Sequence, residues 1–437
     1  MVAKKLLVVS TSFPLIPGDS LSPFMLEFCN HLIGLGWEVK ALVPHRKGLP
    51  ETESWGSLAI HRFRYMPEKY EDLGYSGGIM PNIRRNPLKI FKLPFYVFAM
   101  YREALRLAVS EGYNLVNFHW LFPASFWLGQ FARSSRVPAV LTGHGTDILL
   151  ASKGVFKFFA DRAFKYASGV TVNSEYMKNI LRHNRLPEIA EVIPMGVDIE
   201  KFAPAGNSPS QSKSIVYIGR LIEQKGVSLL VEAFFELVKK IPDARLEIIG
   251  YGPEKENINR LIKSSGLFPN IRLVDAVPHD ELPQIYRNAR ILALPALIPE
   301  GLGLTPIEAG LCGVPTVTFG LGGTSEIVLN GQTGIVAEPS SKGLYEALLR
   351  LMQDDELTDN LGANARAFLM KKIGWHTVAE KFDRLFTAII EKKSGTANFG
   401  ISKKSAIISS AMIVAVTAAY IIKLFIDRFE RLLGLFQ

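Results

Sequence analysis

The sequence predicts an α/β protein of two doubly wound domains, and three observations carry that expectation. The chain has 437 residues, well beyond the roughly 150 of a typical domain. Short β-branched runs alternate with segments of helical period, the pattern of successive βαβ units around parallel sheets. A cluster rich in proline, glycine and serine, FAPAGNSPSQSKS at 202–214, splits the alternation into two series. With 48% hydrophobic and 21% charged residues the chain can fill two ordinary cores, which excludes a disordered or fibrous protein.

The first series opens with KKLLVVS (4–10), an apolar run too short for a signal peptide and without a small-residue cleavage site, so it reads as a first strand. MLEFCNHLIGLG (25–36) then has the 3.6 period of a packed helix. Strands follow at WEVKALVP (37–44), LAIHRFRY (58–65), YNLVNFHW (113–120), PAVLTGH (138–144), SGVTVNS (168–174) and AEVIPM (190–195). The second series runs SIVYIGR (214–220), ARLEIIGYG (244–252), NIRLVDAV (270–277), ARILALPA (289–296), VPTVTFG (314–320) and TGIVAE (333–338). GWHTVAEKFDRLFTAIIEKK (374–393) is an amphipathic helix, with Trp375, Val378, Phe382, Leu385 and Phe386 at three and four spacing. The expected boundaries are 1–194, 195–373, a helix at 374–394 and a hydrophobic tail at 400–437. Ligands are expected in a cleft at the carboxyl ends of the strands.

The 50 basic and 41 acidic residues leave a formal charge of +9, and two stretches hold the excess. Residues 84–106 carry a net +5 and residues 391–431 a net +4. Both are interleaved with Phe, Leu, Ile and Tyr rather than with polar spacers, which favours an anionic membrane over nucleic acid as partner. The alternative for RRNPLKIFKLPFYVFAMYREALRLA is a loop and an ordinary helix packed on the first sheet. Within the tail, Ala406–Ile422 is a 17-residue run without charge, and it resumes after Lys423 to Ile426. Those lengths are roughly 25 and 31 Å of helix, against a hydrocarbon core of about 30 Å. The tail is therefore expected to anchor the chain in a membrane, with a helix packed on the soluble body as the alternative. Ala411, Ala415 and Ala419 form a small-xxx-small stripe through which two copies could pair as a homodimer. The two cysteines, Cys29 and Cys312, are far apart and in no metal-ligand spacing, which fits a reducing compartment and no disulfide scaffold.

The chemistry concentrates in two stretches. PEGLGLTPIEAG (299–310) places Glu300 and Glu308 around a glycine-rich turn that feeds a helix. Such a turn lets backbone amides approach a phosphate, and the helix terminus adds partial positive charge. Carboxylates accept from hydroxyls, so the pair suits sugar and ribose rings; a helix cap (Glu300) and a solvated face (Glu308) are the alternatives. YIGRLIEQKG (217–226) places Arg220 and Lys225 after a strand, where they could neutralise a diphosphate or be two solvated surface charges. Alanine at either position is expected to leave fold stability almost unchanged. His144, between Gly143 and Gly145 at a strand end with Asp147 beyond, is a candidate functional histidine. His119, His144 and Asp147 match no strong metal-ligand spacing, so no metal is expected.

These stretches carry a family resemblance. IGRL with the following KG, IIGYGP, EGLGLTPIEAG, GGTSEIV and NGQTG resemble glycosyltransferase family four, the retaining GT-B enzymes. FPLIPGD, GWEVKALVP, HWLFPAS, TGHGTDI, TVNSEYMK and VIPMGVDIEKF follow the family's order in the first half, so the resemblance spans about residues 6–390. It implies a GT-B fold of two Rossmann-like domains facing a cleft, with the 374–394 helix crossing back to the first domain. It implies that Arg220 and Lys225 bind the donor diphosphate and that Glu308 holds the ribose. Glu300 would hold the donor sugar's hydroxyls, and Gly303, Leu304 and Thr305 would offer backbone amides. His144 would face the donor sugar from the first domain. The first loop, SFPLIPGDSLSPF, departs from the family in lacking a doubled glycine, so no acceptor contact is carried over.

The expected function is retaining, metal-independent transfer of a sugar, of hexosyltransferase type, from a nucleotide diphosphate donor. The expected acceptor is lipid-linked or a growing cell-envelope glycan at the cytoplasmic membrane face. No cofactor beyond the donor is expected. No clear nucleophile stands out, which favours front-face attack, with the leaving phosphate taking the acceptor's proton, over a covalent intermediate on Asp147 or Glu300. A nucleotide-sugar epimerase or hydrolase of this fold would release free sugar without acceptor. A non-catalytic membrane-tethered binding protein would have lost Arg220, Lys225 or Glu300, and all three are present.

Overall fold

A computed structural model describes residues 4–394, save for 20, 76–77, 184–189, 205, 207–210 and 267–268. The chain forms two compact units. One holds residues up to Val172, Lys178–Ile193 and the chain from Ala379; the other holds Asn173–Met177 and Pro194–Val378. The helix Trp375–Ser394 is thus divided between them after Val378.

The first unit contains β1 (Lys5–Ser10), β2 (Glu38–Pro44), β3 (Thr52–Trp55), β4 (Leu58–Phe63), β5 (Leu115–His119), β6 (Ala139–Gly143), β7 (Gly169–Val172) and β8 (Ala190–Val192). They form one sheet in the order β3-β4-β2-β1-β5-β6-β7-β8. Every neighbouring pair is parallel except β3–β4. Leu6 pairs with Val39 on one side and Leu115 on the other. β5 and β6 are buried at every position, as central parallel strands covered on both faces must be. The helix Leu93–Ser110 buries Tyr96, Val97, Met100, Ala104 and Leu107, and Tyr96 meets Phe63 edge to face at 5.2 Å. The C-terminal helix packs here too. Phe382 meets Phe28 at 5.0 Å, and Asp383 accepts from Trp37 Nε1 (2.8 Å) and Lys4 Nζ (2.7 Å).

β3 is an edge strand that the sequence pattern does not announce. It has four residues, TESW, joined to β4 by a two-residue turn with Gly56 at φ +60°. A strand so short and polar carries no period of its own.

The second unit contains β9 (Ser214–Ile218), β10 (Arg245–Ile249), β11 (Ile271–Val274), β12 (Ile291–Leu294), β13 (Thr316–Thr318) and β14 (Gly334–Val336). All are parallel, in the order β11-β10-β9-β12-β13-β14. Alternate residues of β9 enter two different cores: Ile215 and Tyr217 join Leu230, Phe234 and Leu344, while Val216 and Ile218 join Tyr286, Ile307 and Leu369. Since successive strand side chains point to opposite faces, apolar helices cover this sheet on both sides.

The hydrophobic tail anticipated at 400–437, with Ala411, Ala415 and Ala419, lies outside the described residues. Among the described residues no helix is long and apolar enough to cross a membrane.

Candidate functional site

In the second unit the strand order reverses between β9 and β12, so the loops leaving their carboxyl ends border the crevice where doubly wound sheets bind ligands. The loop after β9 carries Arg220 and Lys225. Tyr217 Oη donates to Arg220 O at 2.9 Å, and Leu297 N donates to Gln224 O at 2.8 Å, which stitches this loop to the one after β12. Gly226 permits the approach. It sits at φ +66°, and a Cβ there would lie 2.1 Å from Pro295 O, so any side chain would force the two loops apart. Arg220 is exposed, and no hydrogen bond or ion pair to its side chain occurs among the described residues.

Lys225 is held differently. Its ammonium is ion-paired with Glu300, and the two side chains are only 17% and 11% exposed. The expectation that alanine at Lys225 leaves the fold untouched is therefore corrected: removing Lys225 strands a mostly buried carboxylate. Glu300 itself is fixed by the GLGG segment. Its amide donates to Leu321 O at 3.3 Å, and its carbonyl accepts from Gly323 N at 2.8 Å. Gly322, at φ +71°, lies so close that a Cβ would sit 2.5 Å from Glu300 O. Glu300 does not cap the following helix, Leu304–Leu311, whose N-terminus at Gly303 has no side-chain cap. The amides of Leu304 and Thr305 begin that helix beside the Glu300 carboxylate, whose Oε2 would lie 3.2 Å from a Cβ on Gly303.

Glu308, one turn further on, is buried rather than on a solvated face. Its Oε1 lies 2.9 Å from His279 Nε2, and its Oε2 accepts from Tyr286 Oη at 2.9 Å. Burial, reinforced by Glu308, holds the Tyr286 phenol well above its ordinary pKa, so it remains a donor. His279 and Tyr286 were not among the sequence candidates. The signal available was only positional, since VPHDELPQIY follows the end of a predicted strand.

His144 belongs to the first unit, at the end of β6. Its Nε2 lies 3.0 Å from His119 Nδ1 with the rings stacked, and Trp120 and Phe24 lie 4.5 and 5.5 Å away between ring centres. Burial pushes His144 down to about 3. Burial, aided by His144, drives His119 well below its ordinary value. Both rings are therefore neutral at pH 7, fit to exchange hydrogen bonds but not to carry charge. Asp147 is buried beneath them. Its Oδ1 accepts from His144 N (3.0 Å) and Gly145 N (2.9 Å), and its Oδ2 from Leu121 N (2.9 Å). Those bonds make it the anchor of the His144 loop rather than a free nucleophile. Burial raises its pKa while the three amides oppose the rise. Among the described residues no group of three His, Cys, Asp or Glu side chains is arranged to hold a metal ion.

The basic stretch 84–106 divides in two. Lys89 and Lys92 pair with Asp72 at 3.0 and 2.6 Å, and Arg102 and Arg106 with Glu103 at 3.1 and 2.7 Å. Arg84 and Arg85 are exposed and have no such partner among the described residues. Beside them Leu88, Phe91 and Phe95 are 67%, 56% and 57% exposed.

Two family models match the chain. The one described as glycosyl transferases group 1 matches residues 198–368, and the one described as Glycosyltransferase Family 4 matches residues 22–201. An uncharacterised glycosyltransferase of Methanocaldococcus jannaschii is 28% identical over 73% of this chain and 86% of its own. A GDP-mannose-dependent alpha-(1-6)-phosphatidylinositol monomannoside mannosyltransferase of Mycolicibacterium smegmatis is 28% identical over 60% of this chain and 73% of its own. Among solved structures, sucrose-phosphate synthase from Thermosynechococcus elongatus superposes with a TM-score of 0.72 at 21% identity, covering 89% of this chain and all of that one.

Proposed function

The chain belongs to the group 1 glycosyltransferases of family four, with their two-domain parallel α/β fold, and from that premise we propose that it transfers a sugar with retention from a nucleoside diphosphate sugar to a lipid-linked or envelope glycan acceptor. The observation that carries the reading is the Lys225–Glu300 pair at the β9/β12 reversal, with Arg220 exposed on the same loop and without a side-chain partner among the described residues, and Glu308 in the helix that follows. Arg220 and Lys225 take the diphosphate, so its developing charge is met by two cations without a divalent ion. Lys225 exchanges Glu300 for phosphate oxygens, and the released carboxylate accepts from the sugar's hydroxyls. Glu308 holds the ribose. The amides of Leu304 and Thr305, reached past Gly303, complete the phosphate cradle. His144, neutral, hydrogen-bonds the donor sugar.

The bond from the anomeric carbon to the diphosphate oxygen breaks as the acceptor oxygen bonds the same face. The acceptor's proton passes to the departing phosphate oxygen. Products are the glycoside and the free nucleoside diphosphate. UDP-glucose, GDP-mannose and ADP-glucose should be screened for thermal stabilisation of the full chain. A true donor at 100 times its Kd adds about 2.7 kcal/mol of stability. Failure of every nucleotide sugar to stabilise the protein refutes the reading, and release of free sugar without acceptor replaces transfer by hydrolysis.

The acceptor class rests on the mannosyltransferase relative, whose name specifies a phosphatidylinositol mannoside, and on the basic and apolar composition of two segments. We place the reaction at the cytoplasmic membrane face. Leu88, Phe91 and Phe95 enter the bilayer interface while Arg84 and Arg85 meet anionic headgroups, and the 21-residue apolar stretch ending at Ile426 anchors the chain. Cys29 and Cys312 are both buried, so an environment-sensitive dye can be attached through Phe91→Cys in the full chain. Its emission should shift to the blue on anionic vesicles, while the same dye at Phe235→Cys in the second unit should not respond. An unchanged spectrum at position 91 on vesicles that the protein binds would assign attachment to the tail alone.

A further inference from the structure

Glu308 is not held by its own helix alone. His279 Nδ1 lies 3.2 Å from the Lys201 ammonium, which has only hydrogens to offer, so Nδ1 must be the accepting nitrogen. The ring proton then sits on Nε2 and is donated to Glu308 Oε1 at 2.9 Å. Lys201 is itself located. Its Nζ pairs with Asp280 Oδ1 at 2.5 Å, and Arg287 donates to Lys201 O at 2.9 Å and Ala203 O at 2.7 Å. On the other side Tyr286 Oη donates to Oε2 at 2.9 Å. Among the described residues each carboxylate oxygen thus accepts one hydrogen bond where it can take two. That leaves one acceptor direction per oxygen for a ligand.

We propose that His279 and Tyr286 are positioning residues for the nucleotide: they grip Glu308 from two sides, so that its remaining acceptor directions meet the two ribose hydroxyls together. Lys201 serves them by fixing the His279 tautomer. The inference rests on the ribose reading of Glu308 and adds what orients that carboxylate. The His279 side chain is 31% exposed, so alanine is the fitting change there; Tyr286 is fully buried, so phenylalanine is the fitting change.

The test is a cycle between protein variants and nucleotide chemistry. Calorimetric titration of the full chain identifies the tightest of UDP, GDP and ADP. Its 2′,3′-dideoxy counterpart is then titrated into the unmodified protein and into His279→Ala, Tyr286→Phe and Glu308→Gln. Each variant should weaken binding of the ribonucleotide about tenfold, the scale of one hydrogen bond to a charged group. Each should bind the dideoxy nucleotide as the unmodified protein does, within about twofold. His279→Gln, whose amide can donate where Nε2–H does, should recover most of the loss. A role in folding alone would weaken both nucleotides equally. If Glu308→Gln abolishes the preference for the ribonucleotide while His279→Ala and Tyr286→Phe retain it, the positioning role is wrong and the ribose reading stands. If Glu308→Gln retains the preference, the ribose reading fails and this inference with it.

Discussion

Arg220→Ala should lower turnover about 30-fold to nearly 1000-fold, the equivalent of roughly 2–4 kcal/mol of transition-state stabilisation, without moving the melting temperature. Its side chain is exposed and makes no ion pair among the described residues, so the folded state loses nothing when it is cut back. Lys225→Ala should lose as much rate and also unfold earlier. Its ammonium is the partner of Glu300, and both side chains are largely buried. Stranding the carboxylate should cost about 2 kcal/mol, less than a fully buried pair because water reaches part of the site. The pair of changes Lys225→Met with Glu300→Gln removes both charges and should restore the melting temperature while activity stays lost. Steady-state rates and thermal melts on the variants decide it. Near-normal turnover in Arg220→Ala and Lys225→Ala together would remove both residues from the diphosphate.

That contrast marks where the sequence stops being informative. The parallel cores of the two sheets were readable because central parallel strands are apolar on both faces, as KLLVVS and SIVYI are. Glu300, Gly303 and Glu308 could be singled out because one loop and one helix carry them in a short span, although what fixes each carboxylate lies elsewhere in the chain. The partner of Lys225 lies 75 positions away and is chosen by topology, which sets β12 beside β9. The grip on Glu308 has the same origin. His279 stands 29 residues earlier, just past the end of another predicted strand. Charge counting also located the basic stretch at 84–106 but not its neutralisation. Asp72 lies outside that window and pairs with two of its six cations. Residue type and local period were legible; pairing across the fold was not.

The two glutamates should separate in opposite directions when each is made neutral. Glu300→Gln keeps the shape of the side chain but no longer draws Lys225 toward itself. The ammonium is then free for phosphate oxygens before any sugar arrives. Free nucleoside diphosphate should bind at least as tightly as to the unmodified protein, and about threefold tighter if the competition costs roughly 0.7 kcal/mol. Turnover should nevertheless fall about 100-fold, since the charge that holds the sugar's hydroxyls in the transition state is gone. Glu308→Gln should do the reverse. It weakens the charge-assisted bonds to the ribose, so free nucleotide affinity drops about tenfold while the turnover number at saturating donor stays within about threefold. Titration of both variants with the free nucleotide, followed by rates at saturation, reads the two quantities independently. The sign of the affinity change in Glu300→Gln is the sharper test. A loss there equal to that in Glu308→Gln would put both carboxylates on the nucleotide, and the exchange of Glu300 for phosphate at Lys225 would have to be abandoned.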